Sequence, residues 1–122
     1  TNDMHIGIDI IEIDRIEGVL NKYPERFIEK IFTDFEQKYC RGRASRLAAR
    51  FASKEAVMKA LGTGVRGVGW KEIEVRRHPS GKPFIVLHGR AKIRANKMDI
   101  RSIELSISHS RNLATAIVYM SS

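Results

Sequence analysis

A carboxylate stands where the pattern of a helical segment calls for an apolar side chain. Residues three and four positions apart share a helix face, so Glu55 falls on an apolar stripe. The other members of that stripe are Ala48, Phe51, Ala52 and Met58. A carboxylate carried into a core costs several kcal/mol unless a cation or hydrogen bonds compensate it. Either Lys59, one turn further on, or a group from outside the helix must therefore partner Glu55. The alternative is a surface ion pair between Glu55 and Lys59, worth about 0.2–0.5 kcal/mol.

A second acid lies in an alternating segment near the start of the chain. Residues 5–11 place three isoleucines on one face and Gly7 and Asp9 on the other, which is the period of a β-strand. Asp9 is then either a ligand or a solvated residue of an exposed face, and its residue type does not decide between them.

The segment from Gly62 to Gly67 matches the Gly-x-Gly-x-x-Gly pattern of dinucleotide-binding proteins. That pattern must follow a strand and open a helix, whereas here it closes a helix, so we exclude a Rossmann site. A helix capped by glycine and followed by a flexible loop explains the segment. With Arg66 and Lys59 nearby, such a loop could also bring backbone N–H groups close to a phosphate.

A polar turn near the end of the chain contains His109 between two serines. Taken alone, this histidine does not define a catalytic triad.

The composition limits the classes of function. With 122 residues and 43% hydrophobic content, we predict one domain spanning residues 1–122. The net charge of +8 predicts attraction to a polyanion, to a phosphorylated small molecule or to an acidic protein. Basic residues are scattered and no nucleic-acid motif occurs, so we expect no nucleic-acid partner. The single cysteine, Cys40, and the lack of a long apolar run predict a cytoplasmic protein without a membrane partner.

Periodicity predicts the elements that must position these residues. A first strand over residues 5–11 precedes two or three short helices between Asp14 and Arg41, with a capping box at Thr33 and Glu36. A long helix follows over residues 45–61. The later elements are a hairpin around residues 79–82, a short helix over 90–97 and a hairpin whose turn spans 108–112.

Strands at both chain ends, helices grouped between them and no regular βαβ alternation predict an α+β fold. We expect antiparallel strands from both ends of the chain to pack against several helices.

Four motifs, taken in order, resemble those of the holo-acyl-carrier-protein synthase family of 4′-phosphopantetheinyl transferases. They are Gly7-Ile8-Asp9-Ile10-Ile11-Glu12-Ile13-Asp14-Arg15, the segment from Arg50 to Gly64, Gly81-Lys82-Pro83, and Ser106-Ile107-Ser108-His109-Ser110. The first two are highly specific in order and spacing, and the resemblance spans essentially the whole chain.

The resemblance implies transfer of 4′-phosphopantetheine from coenzyme A to a serine of apo acyl carrier protein, with Mg²⁺. The products would be the holo carrier, which serves fatty acid biosynthesis, and adenosine 3′,5′-bisphosphate. It also implies a phosphopantetheinyl transferase fold and a homotrimer with active sites between subunits.

The resemblance assigns roles to particular residues. Asp9 and Glu55 would bind Mg²⁺, and Lys59 would neutralise charge on the transferring phosphoryl group. The nucleotide and its phosphates would contact the following residues: Arg50, Lys59, Gly62, Thr63, Gly64, Pro83 and His109. The general base could be a metal-bound water, Glu55 or His109.

By the same resemblance, Arg15, Arg26 and Phe27 would dock the acidic carrier protein. The alternative function is a basic binding module for RNA or for an acidic protein, in which Asp9 and Glu55 are structural.

Overall fold

The computed structural model describes residues 3–122. Its strands are β1 Met4–Glu12, β2 Ile73–Arg77, β3 Pro83–Leu87, β4 Ser102–His109 and β5 Leu113–Ser121. Its helices are α1 Ile13–Lys22, α2 Pro24–Ile31, α3 Asp34–Cys40, α4 Ala44–Leu61, α5 Gly64–Gly67 and α6 Gly89–Lys97. A 3₁₀ turn covers Trp70–Glu72.

The strands from the two ends of the chain form one antiparallel sheet. Its order is β1-β5-β4, and β2 pairs with β3 in a separate hairpin. In the first sheet Asp9 lies opposite Ala116 and His109 lies opposite Ala114. This arrangement confirms the α+β class and both predicted hairpins.

Local signals account for the ends of several helices. The Thr33 hydroxyl accepts from the N–H of Glu36 at 3.3 Å, and the Glu36 carboxylate accepts from the N–H of Thr33 at 2.9 Å. Both bonds of the predicted capping box are therefore present. Pro24 is the first residue of α2, where its missing N–H costs nothing. Gly62 ends α4 in the left-handed conformation, with φ of +72°.

Helix α4 lies across the inner face of the sheet. All of its alanines except Ala44 are buried, and the helix packs against β5. The β5 residues on that face are Ala114, Ala116, Val118 and Met120. Small side chains on both elements bring the helix axis close to the strands, which brings the functional groups of α4 near those of β1.

Two features differ from the sequence-based expectations. The glycine segment is partly helical, since α5 occupies part of the stretch predicted as a flexible loop. His109 ends β4 instead of lying in the turn, because it pairs with Ala114 across the ladder. Alternation did not assign the isoleucine row of β1 to either side, and in the structure it faces outward, with Ile6 and Ile8 61% and 58% exposed.

Within residues 3–122 no helix is both long enough and apolar enough to cross a membrane.

Candidate active site

Asp9 reaches its position because β1 approaches α4 at a glycine. A Cβ atom on Gly7 would lie 1.8 Å from the carbonyl oxygen of Ala56, which is far inside van der Waals contact. Alternation places Asp9 on the same face as Gly7. Its side chain is only 11% exposed and lies against α4. Asp9 is therefore not a residue of the solvated face.

Glu55 approaches Asp9 from the helix. It immediately precedes Ala56, whose carbonyl lies under Gly7, and its own side chain is half-buried. Burial raises the pKa of Glu55, and the charge and hydrogen bonding of Asp9 raise that pKa further. Two carboxylates thus come together across the contact between β1 and α4.

An ammonium group lies beside this pair. Lys59 Nζ donates to the carbonyl oxygen of Ile8 at 2.9 Å and to Asp9 Oδ1 at 3.2 Å. The sequence left open an ion pair between Lys59 and Glu55, but the structure pairs Lys59 with Asp9. Lys59 and Asp9 are brought together by the packing of the helix on the strand, which sequence spacing cannot reveal.

Glu55 separates two cavities. One, of about 250 Å³, lies between Glu55, Lys59 and the glycine segment, and Met58 and Val65 give it an apolar wall. The other, of about 310 Å³, lies between Asp9, Glu55 and the first two helices. The carboxylate pair could therefore contact one molecule on each side.

The start of the glycine segment is held in place by hydrogen bonds from two directions. The N–H of Thr63 donates to the carbonyl of Met58 at 3.2 Å, and Gly64 has a φ of +62° that disfavours other residues. From α6, Arg94 Nε donates to the carbonyl of Leu61 at 3.0 Å. Gly62 and Gly64 line the 250 Å³ cavity. The Thr63 hydroxyl is buried without a hydrogen-bond partner among residues 3–122.

Arg50, Pro83 and His109 lie elsewhere. Arg50 is five residues from Glu55, which places the two about 140° apart around the helix axis. Its guanidinium stacks over the ring of Tyr39, away from both cavities. Pro83 pairs with Arg77 in the second hairpin, and His109 ends β4. The residues predicted to bind the nucleotide therefore do not meet within one chain. Lys59, Gly62 and Gly64 line the 250 Å³ cavity, whereas Arg50, Pro83 and His109 do not.

Two of the three residues predicted to dock a carrier protein line the 310 Å³ cavity. Arg15 is exposed on α1 and lines it, as does the half-buried ring of Phe27. Phe27 lies 6.2 Å from Phe51, which stacks on Trp70 at 5.0 Å. Arg26 is exposed but does not line the cavity.

Sequence reasoning missed a buried ion pair behind the site. Lys54 Nζ lies 2.7 Å from Glu36 Oε1, and both side chains are fully buried. Lys54 also donates to the carbonyls of Ile73 at 2.6 Å and Trp70 at 3.0 Å. Glu36 Oε2 accepts from the N–H of Val75 at 2.7 Å. The pair joins α3, α4 and β2 next to Glu55, and only the adjacency of Lys54 to Glu55 could have pointed to it.

The donor set at Asp9 and Glu55 suits a hard cation. Carboxylate oxygens are the ligands that Mg²⁺ prefers, and Mg²⁺ usually takes one or two carboxylates together with substrate phosphates and water. No cluster of three or more histidine, cysteine or acidic side chains that could enclose a metal occurs within residues 3–122. The pair therefore fits a metal that is shared with a substrate.

Comparison with known proteins identifies the family. The sequence profile of the 4′-phosphopantetheinyl transferase superfamily matches residues 5–118. This chain belongs to that superfamily. The chain is 48% identical over 117 residues to the holo-[acyl-carrier-protein] synthase of Gloeobacter violaceus, covering 93% of this chain and 89% of that protein. It is 45% identical to that of Herpetosiphon aurantiacus, with 92% and 94% covered.

Solved structures of superfamily members share the fold. The Helicobacter pylori holo-[acyl-carrier-protein] synthase, crystallised with coenzyme A, is 34% identical with a TM-score of 0.86, covering 94% of this chain and 98% of that one. The Bacillus anthracis synthase, in complex with CoA (3′,5′-ADP), is 38% identical with a TM-score of 0.80, covering 98% and 99%. This phosphopantetheinyl transferase thus has the α+β fold of holo-[acyl-carrier-protein] synthases.

Proposed function

We propose that this enzyme transfers 4′-phosphopantetheine from coenzyme A to a serine of apo acyl carrier protein. The products are the holo carrier and adenosine 3′,5′-bisphosphate. Family membership and the names of its relatives support this reaction. The observation that carries it is the Asp9–Glu55 pair, which lies between two cavities with Lys59 beside it. Two substrates can therefore meet at one acidic site.

Asp9 and Glu55 would hold Mg²⁺. When bound, this ion neutralises negative charge that develops on the phosphoryl group during transfer. Lys59 would neutralise the same negative charge, because its long side chain can leave Asp9 and contact a phosphate oxygen instead. The exchange is favoured once a cation takes over the neutralisation of Asp9. Glycine backbone at Gly62 and Gly64 leaves room for coenzyme A to approach α4 closely.

Glu55 is the best-placed general base among the side chains considered. Glu55 lines both cavities, whereas His109 lines neither of them. In this proposal the proton of the carrier serine passes to the Glu55 carboxylate. The serine oxygen then forms a bond to the β-phosphorus of coenzyme A as the bond to the bisphosphate oxygen breaks.

The outer face of the sheet supports a proposal of assembly into a homotrimer. Met4 and Ile10 continue the outward row of Ile6 and Ile8, and Ile117 and Tyr119 add to it from β5. A continuous apolar face of this kind marks an interface more often than a free surface. We propose that Arg50, Pro83 and His109 of one subunit complete the site around Asp9 and Glu55 of the next.

The docking residues would receive the carrier protein on α1 and α2. Arg15 and Phe27 line the 310 Å³ cavity, and Arg26 lies beside them in sequence. Exposed arginines on a chain of net charge +8 favour an acidic partner. The carrier serine would then enter the cavity on the Asp9 side. We place this reaction in cytoplasmic fatty acid biosynthesis.

Mass spectrometry tests the reaction. An apo acyl carrier protein incubated with the enzyme, coenzyme A and Mg²⁺ should gain the mass of one phosphopantetheine at its serine. Carrier binding without any mass change would contradict transfer and favour a binding module. Sedimentation tests the assembly separately, since an active monomer at micromolar concentration would contradict the shared site.

A further inference from the structure

The backbone on both sides of the glycine segment is hydrogen-bonded to helix α6. Just before the segment, the carbonyl oxygen of Leu61 accepts from Arg94 Nε at 3.0 Å. Just after it, the N–H of Gly69 donates to the carboxylate of Glu72, and that carboxylate also accepts from the N–H of Arg90. Arg90 and Arg94 are four residues apart, so about one turn of α6 holds both ends of the segment.

Arg94 completes the C-terminal end of α4. The last carbonyls of a helix have no partner within it, and they also form the negative end of its dipole. At this end the N–H of Gly62 donates to the Lys59 carbonyl at 3.1 Å, whereas the Leu61 carbonyl depends on Arg94. The guanidinium also lies over the turn, with Nη2 3.8 Å from the Cβ position of Gly62. A residue of α6 therefore closes the turn of α4 that carries Lys59.

Glu72 occupies a space that two glycines leave open. A Cβ atom on Gly89 would overlap Glu72 Oε2, and one on Gly69 would lie 3.0 Å from Glu72 Oε1. Gly89 also has a φ of +52°, which other residues rarely adopt. Arg90 adds a bond from its Nε to Glu72 Oε1 at 3.2 Å. The backbone is thus shaped to bring this carboxylate to the start of α6.

The middle of the glycine segment has little support of its own. Residues 64–67 form the four-residue helix α5 and are all exposed, with Val65 56% exposed. A helix this short is not stable by itself. Gly62, Gly64 and Val65 nevertheless line the 250 Å³ cavity, which Lys59 lines from α4. The shape of this cavity therefore depends on where the two ends of the segment are held.

We propose that Arg94 and Glu72 are positioning residues for the use of coenzyme A. By holding the two ends of the glycine segment on α6, they set the distance between that segment and Lys59. Neither residue lines either cavity, so they act through the backbone and not by contact with a substrate. This inference rests on the proposed function, which assigns coenzyme A to the 250 Å³ cavity.

Replacing Arg94 by Met tests the first of the two residues. Methionine keeps an apolar stem on α6 but cannot donate to the Leu61 carbonyl. The Kd for coenzyme A, measured by calorimetry, should rise about three- to tenfold, the range expected for the loss of one hydrogen bond. The KM for the carrier protein should not change, because the carrier is proposed to enter the other cavity. Lys97→Met, which removes an exposed cation from the same helix, is the matched control.

Amide hydrogen exchange separates a positioning role from a direct contact. In Arg94→Met the N–H groups of Gly62 and Thr63, whose bonds close α4, should exchange faster, while those of β1 should exchange as before. Arg94→Lys keeps a cation with a donor and should restore part of the affinity for coenzyme A. A higher Kd with unchanged exchange at Gly62 and Thr63 would mean that Arg94 contacts the ligand, and would overturn the positioning role.

Glu72→Ala tests the other end of the segment. It should also raise the Kd for coenzyme A and leave the KM for the carrier unchanged. If Glu72→Ala does not fold, Arg94→Met decides, because the exposed Arg94 side chain is not part of the core.

Two results would overturn the inference without touching the proposed function. One is an Arg94→Met enzyme that binds coenzyme A as tightly as the unaltered enzyme. The other is an equal loss of affinity for coenzyme A and for the carrier together with a lower Tm, which would indicate general destabilisation. Failure of the unaltered enzyme to bind coenzyme A at all would overturn the proposed function itself, and this inference with it.

Discussion

Lys59 Nζ lies 3.2 Å from Asp9 Oδ1, so an ammonium group already balances one of the two carboxylates proposed to bind a metal. If Asp9 binds a metal as proposed, Lys59 and the divalent cation would compete for its carboxylate. A phosphate near Lys59 would relieve that competition and couple metal binding to coenzyme A.

Replacing Lys59 by Met should tighten the binding of Mg²⁺ alone while abolishing transfer. The ammonium group of Lys59 is largely exposed, and exposed ion pairs contribute about 0.2–1 kcal/mol, so the gain in affinity should be no more than about fivefold. Calorimetry with Mg²⁺ in the absence of coenzyme A measures it. Lys71→Met, which removes an exposed lysine paired with Glu29, is the control. Weaker binding of Mg²⁺ to Lys59→Met would argue against competition.

Asp9→Asn and Glu55→Gln should each abolish transfer without unfolding the protein. Each change keeps the shape of the side chain and removes an anion from a site where two anions repel. Turnover assays and circular dichroism should therefore give opposite results. Retained activity in either variant would remove that residue from the metal site.

The stability of Glu55→Gln should depend on pH. Burial and Asp9 raise the pKa of Glu55 above its usual 4.5, so the folded protein holds this proton more tightly than the unfolded chain. The unfavourable contribution of ionised Glu55 is absent below pH 4.5 and grows as the pH rises through the raised pKa. Denaturant titrations should find Glu55→Gln at least as stable as the unaltered protein at pH 7, with no gain below pH 4.5. A loss of stability at pH 7 would contradict this.

Gly7→Ala should destabilise the fold and displace Asp9. The new methyl group would overlap the Ala56 carbonyl, and both atoms belong to the packed interface of β1 with α4. We expect a loss of about 1–3 kcal/mol, as for overpacked cores, together with loss of Mg²⁺ binding. Gly18→Ala is the matched control: nothing lies within 4 Å of its Cβ position on α1. That helical change should stabilise the protein by about 0.5–1 kcal/mol. Equal effects would show that the close approach at Gly7 is unimportant.

Lys54→Met should lower the free energy of unfolding by about 3–5 kcal/mol, because it leaves the buried carboxylate of Glu36 without its cation. Lys59→Met should cost less than about 1 kcal/mol, since that ion pair is exposed on the lysine side. Urea denaturation of the two variants separates these values. A loss below 1 kcal/mol for Lys54→Met would mean that Glu36 is satisfied by its backbone donors alone.

Arg15→Glu should weaken the use of the carrier protein without affecting coenzyme A. Reversing an exposed charge beside the 310 Å³ cavity places like charges together when an acidic carrier docks. The KM for the carrier should rise, and turnover of the unaltered enzyme at low carrier concentration should fall with salt. Steady-state kinetics with each substrate varied in turn measures both, with Arg101→Glu as the control. A defect confined to coenzyme A would exclude Arg15 from the docking surface.

Much of the fold could be predicted because its signals are local. The capping box at Thr33 needs only Glu36 three residues later, and both hydrogen bonds form. Glycine at position 62 ends α4 where the left-handed conformation is required. Element boundaries were less certain, since His109 belongs to β4 through its pairing with Ala114, and pairing depends on a second strand.

The candidate site depends on contacts between distant parts of the chain. Residue order placed Asp9 and Gly7 on one face of β1, but the packing of α4 under Gly7 selects that face as the inner one. Alternation shows that β1 has two faces, but it does not decide whether the isoleucine face or the Asp9 face packs against the core.

Residue types and spacing left Asp9 and Glu55 as separate candidates, and only the resemblance to a known family proposed Asp9, Glu55 and Lys59 as one chemical group. Their partners were set by packing. Lys59 pairs with Asp9 across 50 residues, Glu36 pairs with Lys54 inside the core, and Arg50 lies on a different side of α4 from Glu55. Charges pair with whatever the packed elements bring within a few ångströms, and that distance is unrelated to separation along the chain.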